Sequence, residues 1–145
     1  MKTKLACFSL LLLISAQAVW ASQTAMIGGT RNAGYTLGME TSRDFGPATG
    51  RFGIEATTGE DVNIYGDNPF LLFAGLQLPV PLVRQPVSWS FGFVGNYGNR
   101  TELGEYLSLV FDKLYQADKM YLETGLDWFG DHGHALFQLG YRFGY

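Results

Sequence analysis

The sequence predicts an all-β chain: a small, antiparallel, up-and-down transmembrane β-barrel of about eight strands. Three observations predict it. Apolar and polar residues alternate with period two through most of the chain, the pattern of strands that bury one face. Glycine is frequent (19 residues) and aromatic residues reach 15%, a composition suited to strands and tight turns. Beyond the N-terminal leader, no run is apolar for long enough to be a membrane helix, yet the predicted strands have roughly the 9–11 residues that a tilted membrane-crossing strand needs.

Residues 1–21 read as a signal peptide. "MKTK" is a cationic start, "LACFSLLLLIS" an apolar core too short to span a bilayer, and "AQAVWA" a small-residue cleavage region. Cleavage is expected after Ala21, with Ala18 as the alternative, leaving residues 22–145 as one barrel domain. Cys7 is the single cysteine and departs with the leader, so neither a disulfide framework nor thiol chemistry is expected. An exported small domain without cysteines fits a bacterial envelope better than eukaryotic secretion. Asp and Glu number 13 against 10 Lys and Arg, two of which (Lys2 and Lys4) lie in the leader. No basic cluster exists to neutralise phosphates, which excludes a nucleic-acid partner.

The strands follow in order. A short first strand covers Thr24–Gly29, followed by Gly34–Arg43, Gly50–Thr58 and Pro69–Pro79. Val87–Tyr97, Glu105–Tyr115, Asp118–Phe129 and His134–Tyr145 complete the set. The segments between them carry turn chemistry: "DFGPAT", "GEDVNIYGDN", "VPLVRQP", "GNRTEL", "QA" and "GDHG".

Register offers a stricter test than alternation. Pairing Phe129 with His134 sets Leu122 against Tyr141, Thr124 against Leu139 and Leu126 against Phe137. Pairing Tyr115 with Met120 sets Leu107, Leu109 and Phe111 against Trp128, Leu126 and Thr124. Both hairpins then place their apolar series on one side, a continuous face three strands wide. The other side carries Tyr106, Ser108, Asp112, Glu123, Asp127, Gln138 and Arg142 among glycines. It suits the crowded, polar lumen of a small barrel. Aromatics gather toward strand ends (Trp89, Tyr97, Tyr115, Trp128, Tyr141), as interfacial girdles do. The apolar face is nearly free of charge, with Lys113 and Lys119 near a strand end, where their ammonium groups can snorkel.

The ending "YRFGY" places aromatics at Tyr141, Phe143 and Tyr145. It resembles the C-terminal signature of bacterial outer-membrane β-barrel proteins, in which that motif is read by the barrel-insertion machinery. The resemblance covers the leader, the ending and the strand rhythm, and it names a class without a specific family. It implies residence in the bacterial outer membrane, with outer-membrane lipid and the insertion machinery as partners. The predicted outer loops are shorter than is common in that class, which argues against a large receptor or adhesive surface. An even strand number puts both termini on the periplasmic side.

The candidate functional residues form a lumen network of Glu40, Glu55, Asp112, Glu123, Asp127 and Arg142. On the expected register Asp112 faces Glu123, an unfavourable like-charge pair that Arg142 is placed to bridge. "GDHGH" offers Asp131, His132 and His134, but ligands clustered in one hairpin do not converge as metal sites require. No metal or other cofactor is expected. Ser42, Ser88, Ser90 and Ser108 are candidate nucleophiles with His132 or His134 as base, yet the register brings no such pair together. The expectation is a monomeric, non-catalytic barrel with a structural or envelope-surface role. The alternatives are a narrow cation-preferring channel, a lipid-modifying enzyme, and a soluble periplasmic β-sandwich or lipocalin-like binder.

Overall fold

The computed structural model describes residues 23–57, 70–81, 86–97 and 102–143. The leader, the Gly59–Pro69 segment, and Gly144 and Tyr145 of the terminal motif lie outside the described residues. Eight strands pair in chain order and close into a barrel, every neighbour antiparallel. They are β1 Gln23–Arg31, β2 Gly34–Phe45, β3 Ala48–Thr57, β4 Phe70–Pro79, β5 Val87–Tyr97, β6 Glu102–Asp112, β7 Met120–Phe129 and β8 His132–Phe143.

Turn geometry explains where the observed strands depart from the expected ones. β1 continues past Gly29 to Arg31 because Asn32 and Ala33 both take left-handed backbone (φ 50° and 59°), so that Arg31 pairs with Gly34. Two left-handed central residues are what a two-residue hairpin matched to strand twist requires. The β7–β8 connection is equally tight. Gly130 has φ +59° and Phe129 pairs with His132, so His132 and Gly133 belong to the strand and not to the loop. At the other end Lys113, Tyr115 and Gln116 are left-handed (φ 57°, 52° and 64°) and terminate β6 at Asp112, which pairs with Tyr121. A short 3-10 turn, Leu114–Gln116, fills the gap.

Both C-terminal ladders are therefore displaced by two residues from the expected register. A slip of two leaves every side chain on its face, whereas a slip of one reverses them all. The apolar series still coincide: Leu107 with Leu126, Leu122 with Leu139, Thr124 with Phe137. The predicted opposition of Asp112 and Glu123 does not survive, because Glu123 now stands between Val110 and Gln138.

Closure sets the tilt. From Thr24 the ladder partners run through Thr41, Phe52, Ala74, Phe93, Glu105 and Trp128 to Gly133. Thr24 itself pairs with Phe143, ten residues farther along β8. A stagger of ten over eight strands corresponds to a tilt of roughly 40°. The 11-residue strands β5 and β6 then rise roughly 25 Å along the barrel axis, close to the thickness of a bilayer's apolar band.

The two faces of this wall are opposite in character. Leu37, Phe93 and Phe137 point outward and are 63%, 56% and 51% exposed, while Met26, Leu76, Leu107 and Leu126 continue the belt on other strands. On β3, Phe52 and Ile54 are half-buried. The lumen instead holds Arg31, Arg51, Glu40, Glu55, Glu123 and Asp127, all buried, packed among Ile27, Leu71, Phe73, Val94 and Tyr106. Large lumen rings sit against glycine: Phe73 faces Gly53 and Tyr121 faces Gly140 across the ladders, and a Cβ on either glycine would collide with the ring. The outward face carries more charge than expected. Lys113 lies in the turn, but Glu105 points outward between Phe93 and Trp128, and Arg43 projects near the terminal end with its guanidinium 5.9 Å from the Phe45 ring.

Candidate functional site

The lumen is organised around two arginines that the strand alternation brings inward. Arg51 on β3 is the centre of the first group. Its Nη2 donates to Glu40 Oε2 on adjacent β2 (2.5 Å) and to Glu123 Oε2 on β7 (2.7 Å). Strands β3 and β7 lie four places apart in a ring of eight, so the Arg51–Glu123 pair crosses the full lumen. Arg51 Nη1 donates to Ser90 Oγ at 2.7 Å, and Ser108 Oγ donates to Glu123 Oε1 at 2.5 Å. Every strong acceptor in this layer thus takes a charge-assisted or hydroxyl bond, as buried charges require.

Arg31, at the far end of β1, is the centre of the second group. Its Nε and Nη2 donate to the two Asp127 oxygens at 3.1 and 3.2 Å, and its Nη1 to Glu55 Oε1 at 2.8 Å. The flat faces of the guanidinium meet Phe73 and Tyr106, at 4.7 and 4.9 Å from the ring centroids. Arginine suits this position because it is weakly hydrated and planar, with donors at its edge and π-stacking faces. Gln138 couples the wall to the group by donating from Nε2 to Glu55 Oε2 (2.5 Å) and Thr36 Oγ1 (3.1 Å).

Four of the six sequence-predicted network residues, Glu40, Glu55, Glu123 and Asp127, lie in these two groups. Asp112 and Arg142 form a separate pair (2.5 Å) at the terminal end, with the Arg142 guanidinium 4.4 Å from the Tyr121 ring. Arg142 therefore bridges to Asp112 alone and not to Glu123. The expected bridge to Glu123 from the neighbouring strand is not formed; Glu123 is paired with Arg51 instead, and the two-residue displacement of the ladders moves Asp112 away from Glu123. The pair borders a polar cavity of about 290 Å³ lined by Gln23, Glu40, Ser42, Asp44, Gln77, Asp112 and Arg142. This vestibule opens at the end where the chain enters and leaves the barrel, and Glu40, whose carboxylate is bonded to Arg51, is among its lining residues.

Arg31 and Arg51 were absent from the sequence-predicted site, although the signal for both was present. Arg51 shares strand and parity with Glu55, so period two turns both inward. Arg31 shares parity with Ala25 and Ile27, but only a first strand extended through Arg31 reveals it.

The other candidates are placed apart from one another. Ser90 and Ser108 are consumed by the Arg51 group, while His134 is the ladder partner of Asp127 and His132 stands exposed at the hairpin end. Among the described residues, no three His, Cys, Asp or Glu side chains converge as a metal site would. Tyr141 and Phe143 point outward on β8, and both are partly exposed.

Comparison with known proteins returns no match to this chain among family models, curated proteins or solved structures.

Proposed function

We propose that this protein is a monomeric barrel of the bacterial outer membrane, with lipid as its surrounding partner and a structural or envelope-surface role that involves no catalysis. One observation carries the reading: the barrel is inside-out. Its buried centre is ionic while its exposed wall is aliphatic and aromatic, the reverse of what water selects. Among the described residues the strands form one closed barrel, with no second sheet for the apolar face to pack against. A belt of this height around every side fits a hydrocarbon layer, where closed barrels leave no backbone group unpaired. The two arginine groups fill the lumen, which supports a bracing role over a wide aqueous channel.

Fractionation of the cell envelope, followed by gel migration of cold and boiled samples in SDS, tests this reading. A band confined to the outer-membrane fraction and shifted on boiling is the expected result. Recovery in the periplasmic extract without detergent, with no shift, would overturn it.

A further inference from the structure

One acid on the outward wall is out of keeping with everything around it. Glu105 on β6 points away from the lumen and is exposed. Its ladder partners are Phe93 and Trp128, and Leu103 and Leu107 flank it along the strand. Three residues in from the start of β6, it stands about 7 Å inside the edge of the wall that lies opposite the termini. Leu103 and Tyr97, 72% and 65% exposed, lie farther out. Among the described residues no ion pair or hydrogen bond engages its carboxylate.

The wall is open on both sides of this group. Trp128 leans toward β8, where a Cβ added to Gly133 would meet the indole Nε1 at 3.3 Å. On the other side Gly95, the ladder partner of Leu103, leaves a notch in which a Cβ would meet nothing nearer than 3.8 Å. A carboxylate beside a recess in an apolar wall is shaped to be covered from outside.

We infer that this patch docks a membrane-embedded segment of a partner protein, one that presents an Arg or Lys side chain at the depth of Glu105. The inference rests on the membrane reading, because an outward carboxylate is costly only where the surroundings are apolar. Charge complementarity selects the occupant. A second copy inserted in the same direction brings no cation to this level. Among the described residues, the wall and its rim hold Arg43, Lys113 and Lys119, all at the terminal end and roughly 18 Å or more away along the axis. Lipid brings none either, since its phosphates repel a carboxylate and its headgroup amines lie beyond the apolar belt.

The test uses the mature chain folded into phosphatidylcholine vesicles, with a dansyl-labelled transmembrane helix of Leu and Ala as the probe. One helix has a single Arg about 5 Å from its midpoint, and its control has Gln there. Energy transfer from Trp89 and Trp128 to the dansyl group reports association. Transfer to the Arg helix is expected to indicate association about three- to tenfold stronger than that of the Gln helix. Glu105→Gln should abolish the difference. Glu105→Leu should abolish it too while raising the urea midpoint of the barrel alone, because it removes a charge that has no partner there. Equal association of the two helices would overturn the inference, as would a difference that persists in Glu105→Gln. A urea midpoint lowered by Glu105→Leu would also overturn it, by assigning the carboxylate to a contact within its own chain. The cold-band shift in SDS, recorded on each sample, separates these failures from failure of the membrane reading, which shows as no folded band at all and overturns both together.

Discussion

Arg31 and Leu37 stand on neighbouring strands, yet the arginine is 1% exposed and the leucine 63%. The same inversion runs through the whole molecule. Along β7, Glu123 and Asp127 are buried while Leu126 and Trp128 face outward. Burial here follows the parity of a residue in its strand and not its affinity for water. The lumen tolerates charge because each charge finds a geometrically matched partner. The wall tolerates apolar surface only if what surrounds it is apolar too. The two regions therefore make opposite demands on a substitution, and each can be tested against the other.

The largest expected effect is in the lumen. Arg31→Ala leaves Asp127 and Glu55 buried without their cation, and a loss of about 3–5 kcal/mol is expected in urea unfolding from lipid vesicles. A loss below about 1 kcal/mol would mean that the lumen behaves as a hydrated surface. Next is the wall. Leu107→Arg puts a guanidinium near the middle of the apolar belt, and folding into vesicles should lose roughly 2–4 kcal/mol if the belt meets hydrocarbon. A loss under about 0.5 kcal/mol, the usual cost of a change on a water-facing surface, would break the contrast between the two regions. The smallest effect lies in neither region but in the hairpin that joins β1 to β2. Ala33 has φ 59°, and Ala33→Gly should raise the unfolding free energy read from urea titration by up to about 1 kcal/mol by relieving a left-handed alanine. A drop would show that Ala33 is held by contacts beyond its turn.

Much of the site was legible because parity is local. Glu40, Glu55, Glu123 and Asp127 all face inward on the expected strands, and they remain inward on a ladder displaced by two residues. The misreadings share one cause, which is turn geometry. Left-handed Asn32 and Ala33 extend β1 through Arg31, and left-handed Lys113, Tyr115 and Gln116 cut β6 short. The first hid a central cation, and the second created an Asp112–Glu123 repulsion that the molecule does not contain. Neither Ala33 nor Tyr115 is a residue type that announces positive φ, so composition alone carried no warning.

By itself the sequence determined the strand rhythm, the all-β class and the partition of side chains between wall and lumen. Period two is a property of each strand alone, and an even slip cannot disturb it. Which inward charges meet was decided only by the tertiary structure. Arg51 and Glu123 are 72 residues apart in the chain and lie on opposite walls. They touch because eight tilted strands close with a ten-residue stagger, which sets both the width of the lumen and the height at which each side chain enters it. That stagger is the sum of eight registers, each fixed by a turn or a seam, and no single stretch of sequence encodes it.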